Sequence, residues 1–192
     1  MSEFFFTLLN IHVDFVDCSL CVSLSYKYMN RVINIGNKKQ ACKDLAQFQN
    51  KHYDAADIEF RNVHLLKLNV LIGYRFFSKN SLYVRSSTLW EIMQPVGKMG
   101  KHHYHGLKPD DIVDGLGSLL ESFLIYETYP NRYAVLVSGN GTYQNLAIVI
   151  ELNAGLSNNR NANINKLVTI FPKDNLDKKI AHIPAERIVY KK

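Results

Sequence analysis

The feature that most limits the fold of this 192-residue chain is a change of hydrophobic pattern at Ser122. Before Ser122, apolar residues recur at helical spacing, as at Ala41, Leu45 and Phe48. After Ser122, short runs rich in Val, Ile, Leu and Tyr are separated by turns. The expected strands are residues 123–128, 132–138, 145–153, 167–171 and 186–190. Helices followed by an antiparallel meander predict the α+β class, with N-terminal helices packed on an antiparallel sheet.

Local signals place the helices of the N-terminal half. Residues 38–50 have one apolar face and are expected to form a helix. The run from Thr88 to Glu91 fits a capping box, which predicts a helix that begins there and ends at Pro95. Another helix is expected near Lys108, because Pro109 suits a first helical turn.

Residues 1–35 are treated as an apolar N-terminal segment of unassigned role, and residues 36–192 as the main domain. Alternating apolar positions in residues 11–26 predict half-buried strands. The apolar run from Phe4 to Leu9 is much shorter than the roughly 20 residues that a bilayer span needs. Glu3 stands where a signal peptide would be basic, so a cytoplasmic location without membrane attachment is expected.

Cysteine content and net charge narrow the class further. Three cysteines, Cys18, Cys21 and Cys42, are too few and too scattered for a disulfide scaffold, and they suit a reducing compartment. Lys and Arg number 23 against 17 Asp and Glu, which gives a net charge of +6. Such an excess attracts nucleic acid or an anionic surface, although a solvated basic protein explains it equally well.

The stretch from Lys98 to Lys108 contains three lysines, three histidines and a tyrosine. Lysines attract phosphate, and a histidine near neutrality can accept or donate a proton, so this stretch is a candidate active-site edge. A zinc site built on His103 and His105 lacks nearby ligands at a familiar spacing, and no metal is expected. A solvated basic loop is the alternative interpretation.

Two later positions also invite a chemical interpretation. Glu151 ends a continuous apolar strand, where a carboxylate can act as a base or simply be solvated. Thr169 gives its strand a polar face, and Lys173 follows just after that strand, so the two could bind a phosphate. A threonine is also a good strand former, which is the simpler explanation of Thr169 taken alone.

Three stretches together resemble a known family: residues 87–95, residues 101–112 with their His-Gly-Leu step, and residues 167–173. The family comprises the phage-associated members of the Barnase, EndoU, Colicin and RelE-like (BECR) nuclease superfamily. The resemblance covers about residues 40–190. The positions that match its pattern are His105, Thr169, Phe171, Lys173 and Tyr190.

The resemblance implies a small α+β nuclease of phage or mobile-element origin that needs no metal or cofactor. Relatives of this kind are ribonucleases, many of them toxins that act on tRNA or mRNA. RNA is therefore the expected partner, together with an antitoxin or immunity protein. Such an enzyme uses the 2′-OH of the substrate as nucleophile and leaves a 2′,3′-cyclic phosphate, a route that DNA cannot follow.

Roles follow from residue type together with the resemblance. His105 is expected to act as the proton-transfer group, with His103 in reserve, while Lys101 and Lys173 stabilise the phosphate. Thr169 would hydrogen-bond the phosphate, and Glu151 or Tyr190 would transfer the second proton. The residues expected to guide the RNA backbone are Lys98, Lys108, Arg160 and Lys166.

Two other functions compete with the nuclease. A non-catalytic module on the same fold would bind nucleic acid or protein without turnover. A toxin-like transferase is the other, but the glycines at Gly139 and Gly141 are better explained by a turn than by a nucleotide-binding loop.

Overall fold

A computed structural model of the chain describes residues 32–50, 56–73, 77, 79–96, 104–139, 142–156, 159–173 and 180–192. The strands expected in residues 11–26 therefore lie outside the described residues. The described strands are β1 (Val32–Asn34), β2 (Asp57–Arg61), β3 (Leu82–Arg85), β4 (Leu124–Tyr129), β5 (Arg132–Ser138), β6 (Asn145–Ala154), β7 (Ile164–Pro172) and β8 (Ile188–Lys191). The α-helices are α1 (Lys38–Asn50), α2 (Leu65–Ile72), α3 (Ser86–Met93) and α4 (Pro109–Gly117), and short 3-10 turns follow at Ser118–Glu121 and Ala185–Arg187.

The described strands form one sheet in the order β1-β2-β3-β7-β6-β5-β4-β8. The expected α+β class is confirmed. The expectation of an antiparallel sheet is wrong, because β1 pairs with β2 and β3 pairs with β7 in parallel. Apolar runs predict that strands exist, but the partner of a strand depends on contacts between distant segments. Residues 32–34, assigned from sequence to the N-terminal segment, form the edge strand β1.

The helices pack on one face of this sheet. Side chains of α1 and α4, including Leu45, Phe48 and Ile112, share a continuous core with Ile148 and Ile150 of β6. Helix α4 lies so close to β6 that a Cβ added to Gly115 would stand 2.9 Å from a methyl carbon of Leu146. A larger residue at this position would require the end of the Leu146 side chain to shift.

A second, smaller apolar cluster lies on the opposite face. It is centred on Leu124, Leu136 and Ala147, which are adjacent across β4, β5 and β6. Phe171 of β7 packs against it, and so do three isoleucines of the C-terminal segment, Ile180, Ile183 and Ile188. We call the face of the sheet that carries this cluster the second face. Most of the residues discussed below lie on it.

The first residues of α4 and α3 can be compared with the helix starts expected from sequence. Helix α4 begins as expected, with Lys108 at its N-cap, Pro109 in its first turn, and the Asp111 carboxylate accepting a hydrogen bond from the Lys108 N–H at 2.9 Å. Helix α3 begins at Ser86 rather than at the expected Thr88. The hydroxyl of Ser86 accepts a bond from the Ala56 N–H, and the Ser86 N–H donates to the Ala56 carbonyl, so a tertiary contact fixes this start.

Candidate active site

His105 lies in the connection between α3 and α4, and buried neighbours hold it on both sides. Tyr104 is 2% exposed and packs edge-on against Trp90, with ring centroids 5.5 Å apart, and Leu107 is fully buried. Burying side chains of this size stabilises a structure by about 1.5–3 kcal/mol each. The connection is therefore anchored firmly at the residues that flank His105, although His105 itself is only half-buried.

Backbone geometry fixes the connection further. Gly106 has φ +67°, a left-handed conformation that side chains disfavour. Its N–H donates to the Gln94 carbonyl at 2.7 Å, and the Leu107 N–H donates to Ile92 at 3.1 Å. These bonds tie the segment after His105 to the end of α3, so the imidazole is placed by the backbone on its C-terminal side as well.

Strand β7 supplies the other half of the site. Alternation along the strand sends Ile170 into the main core and places Thr169 and Phe171 on the second face. Thr169 pairs with Val149 and Phe171 with Ala147, while the Lys173 N–H donates to the Asn145 carbonyl at 3.0 Å.

The two halves meet at His105. Its Nε2 lies 3.2 Å from the Thr169 Oγ1, and its ring centroid lies 5.6 Å from that of Phe171. The Lys173 Nζ stands over the same aromatic ring, 5.3 Å from its centroid. We call these four residues the His105 cluster. Residues far apart in sequence thus bring an imidazole, with its hydroxyl partner, and an ammonium group to the same aromatic ring.

This arrangement suits binding of an anion and transfer of a proton. The Thr169 hydroxyl fixes the orientation of the imidazole whichever of the two donates the hydrogen bond. The ammonium group of Lys173 provides a positive charge at the Phe171 ring, which the imidazole also contacts. An imidazole can transfer a proton, and an ammonium can stabilise the charge of a phosphate.

Glu151 lies on the same face of the sheet but belongs to a different group. Its Oε2 is 2.6 Å from Nη2 of Arg132, its partner in β5, and it also pairs in register with Lys166 of β7. Arg132, Glu151 and Lys166 form what we call the charge row. The row crosses β5, β6 and β7. On β6 it lies two residues after Val149, which pairs with Thr169.

Tyr190 lies away from the His105 cluster. It is paired with Ile125 of β4 and packs against the main core, on the helix side of the sheet. Strand β8, to which Tyr190 belongs, is separated from β7 by β6, β5 and β4. The structure therefore does not bring Tyr190 to His105.

The remaining sequence candidates are dispersed. Lys108 is exposed at the N-cap of α4, three residues after His105, and Arg160 is exposed between β6 and β7. The expected roles of Lys98, Lys101 and His103 concern residues that lie outside the described ranges.

Three contributions to this region were missed from sequence. Arg132 was not considered, yet counting back through the hairpin from the Ser138–Asn145 pair places it opposite Glu151. Phe171 matched the family pattern, but no role was assigned to it from the sequence. The Tyr143 hydroxyl stands 3.4 Å from the Gly106 carbonyl, a contact that no local pattern announces.

Cys42, on α1, does not belong to this region. Its Sγ donates a hydrogen bond to Asp110 at 3.4 Å. Burial and then this hydrogen bond raise the pKa of the Cys42 thiol to about 11, so it is a poor nucleophile at neutral pH. Within the described residues, no group of three or more His, Cys, Asp or Glu side chains is close enough together to hold a metal ion.

None of the helices in the described part of the chain is long and apolar enough to cross a bilayer. Comparison with known proteins adds no relative to this description. No protein-family model matches the sequence, and neither a curated protein nor a solved structure matches the chain.

Proposed function

We propose that this protein is a metal-independent endoribonuclease with BECR-like packing, of phage or mobile-element origin and toxin-like. The observation that supports the proposal best is the convergence of His105, Thr169 and Lys173. These residues were selected from sequence as proton-transfer, hydrogen-bonding and phosphate-binding groups. His105 is bonded to Thr169, and His105 and Lys173 both contact the ring of Phe171.

In the proposed reaction His105 removes the proton from the 2′-OH of one ribose. The resulting oxygen attacks the adjacent phosphorus, the bond to the leaving 5′-oxygen breaks, and that oxygen takes up a proton from water. Lys173 stabilises the negative charge that builds up on the phosphate in between, and Thr169 keeps the imidazole oriented. The products are a 2′,3′-cyclic phosphate and a free 5′-OH.

The fold is compatible with this function in outline. Helices pack on one face of the sheet, and Thr169 and Phe171 of the His105 cluster lie on the other. Lys108 is exposed near the cluster and Lys166 lies on the same face, so both are proposed to attract the RNA backbone. The partners implied are RNA, with tRNA or mRNA as substrate, and an antitoxin or immunity protein.

The experiment is incubation of the purified protein with total RNA and with a DNA of matched sequence, in the presence of EDTA. RNA fragments that end in cyclic phosphate, absent with a His105→Ala variant, are the expected result. Cleavage of DNA, or cleavage abolished by EDTA, would contradict a metal-independent route through the 2′-OH.

One observation favours a second candidate, a non-catalytic module that binds nucleic acid. Of the two residues expected to transfer the second proton, Glu151 is engaged in an ion pair with Arg132, and Tyr190 lies on the other face of the sheet. A binding module needs no second proton donor. It predicts intact RNA in the same experiment, together with binding that weakens steeply as salt rises.

A further inference from the structure

Phe171 is the residue through which the two charged or chargeable groups of the His105 cluster are connected. Its ring centroid lies 5.6 Å from the imidazole centroid of His105 and 5.3 Å from Nζ of Lys173. His105 and Lys173 come from distant parts of the chain. Both side chains therefore contact the same aromatic ring.

The ring is held in place by the sheet beneath it. Phe171 pairs with Ala147 in the central strand β6, and its side chain packs against the small apolar cluster of Leu124, Leu136 and Ala147. Leu136 and Ala147 are fully buried. Phe171 itself is half-buried, and the side of its ring that faces the sheet packs on these residues.

A fixed aromatic ring also acts on its neighbours electrostatically. The face of the ring carries a partial negative charge, which attracts an ammonium or an imidazolium within about 6 Å of the centroid. Lys173 and His105 both lie inside that distance. An aliphatic side chain of similar size would fill the same space and exert no such attraction.

We propose that Phe171 is a positioning residue, whose ring sets the placement of the His105 imidazole relative to the Lys173 ammonium so that both act on one phosphate. That both groups act on a phosphate rests on the proposed function. The placement of the two side chains by the ring does not depend on that function.

Three variants separate this role from simple packing. Phe171→Leu keeps an apolar side chain but removes the ring, and Phe171→Tyr keeps the ring. The matched control is Tyr126→Leu, which removes an aromatic side chain that packs against the same apolar cluster from β4. Circular dichroism and thermal unfolding establish that each variant is folded.

The first readout is nuclear magnetic resonance and requires no enzymatic activity. Nuclear Overhauser contacts between protons of the His105 ring and of the Thr169 side chain report the placement of the imidazole. These contacts are expected in the wild type, in Phe171→Tyr and in Tyr126→Leu, and are expected to be lost in Phe171→Leu. Unchanged contacts in a folded Phe171→Leu variant would overturn the proposal.

The second readout is RNA cleavage. In Phe171→Leu, kcat is expected to fall by about tenfold or more while KM changes little, because misplaced groups cost mainly the transition state. Phe171→Tyr should restore kcat, and Tyr126→Leu should leave it unchanged. Equal losses in Phe171→Leu and Tyr126→Leu would reduce Phe171 to a packing role. Wild-type protein that does not cleave RNA refutes the proposed function alone, since the resonance experiment still decides the positioning.

Discussion

Two polar groups of residues lie on the same face of the sheet, both with members on β7, and they differ in composition. The His105 cluster contains an imidazole, a hydroxyl, an aromatic ring and an ammonium. The charge row has a carboxylate at its centre, Glu151, with Arg132 on one side and Lys166 on the other. The two differ in whether a negative charge of the protein stands among the positive ones.

The difference concerns the charges that an anion would meet at each group. A phosphate that approaches the charge row meets the Glu151 carboxylate, which already occupies Nη2 of Arg132 at 2.6 Å. The His105 cluster is defined instead by an imidazole bonded to a hydroxyl and by an ammonium over an aromatic ring. The Arg132–Glu151 pair is partly exposed, and such pairs contribute about 0–1 kcal/mol to stability. We therefore expect the charge row to shape the electrostatic field of this face more than it stabilises the fold.

The largest effect is expected on RNA cleavage when two residues of the His105 cluster are removed. A His105→Ala, Lys173→Ala double variant should lower the rate of RNA cleavage by about 10²–10⁴-fold, since it removes a proton-transfer group and a phosphate-stabilising charge. Initial rates on a short RNA measure it. The matched control is His182→Ala, because His182 is an exposed histidine outside the cluster. Cleavage retained by the double variant would remove the His105 cluster from the mechanism.

A smaller effect concerns the backbone that places His105. Gly106→Ala and Gly73→Ala each force a side chain into a left-handed conformation, at φ +67° and φ +72°, and neither added Cβ meets another atom within 3.4 Å. Both should lose about 1–2 kcal/mol in the free energy of unfolding. Only Gly106→Ala should also lower cleavage, by about tenfold, because relief of the strain moves the neighbouring imidazole. Denaturant titration and initial rates measure the two effects, and equal loss of activity in both variants would contradict the special role of Gly106.

A still smaller effect is expected on RNA affinity, with opposite signs for a charge-removing change in each group. Glu151→Gln removes the central negative charge of the row, so RNA should bind a few times more tightly and with a steeper dependence on salt, by up to about one unit of slope. Lys173→Gln should do the opposite. Fluorescence anisotropy with a labelled RNA at several salt concentrations tests both variants. Weaker binding by Glu151→Gln would mean that the carboxylate itself contacts the RNA.

The smallest effect is expected on the helix-covered face. Cys42→Ser should leave cleavage unchanged within about twofold. Alkylation of Cys42, followed by mass spectrometry of its peptide, should be slow near neutral pH. The raised thiol pKa means that the protonated form persists in the folded protein until the pH approaches about 11. The stability linked to the protonated thiol is fully present below the ordinary thiol pKa of about 9.0 and is lost as the pH rises from there through about 11. Rapid alkylation at neutral pH would show that the thiol is more acidic than its surroundings imply.

Elements defined by local chemistry were predictable from the sequence. Strand β5 has the expected bounds, Arg132–Ser138, because its apolar run is bounded by residues that favour turns. Helix α4 begins at Pro109 as its first-turn residues indicate. The start of α3 was misplaced, since it depends on the contact between Ser86 and Ala56, which are far apart in sequence. The parallel pairings escaped prediction for the same reason.

The site was predictable as a set of residue types and only partly as a geometry. His105, Thr169 and Lys173 were selected for their chemistry, and the structure brings them together. Glu151 was selected on equal grounds but is paired with Arg132, a partner that becomes visible only when the hairpin register is known. The contact of Phe171 with His105 depends on tertiary packing, which alternation along β7 alone does not specify.

The joint between β3 and β7 has a consequence for how the protein folds. The ladder between these strands is short, Leu82 with Asn165 and Tyr83 with Lys166, and the side chain of Asn165 strengthens it by donating to the Lys79 carbonyl at 2.8 Å. His105 follows the helix that continues from β3, whereas Thr169 belongs to β7. Pairing of segments so distant in sequence is slow, because a long loop must close before any contact forms. We therefore expect the His105–Thr169 contact to form late, after each half of the sheet has already folded, so that a refolding chain would recover its secondary structure before the proposed nuclease activity.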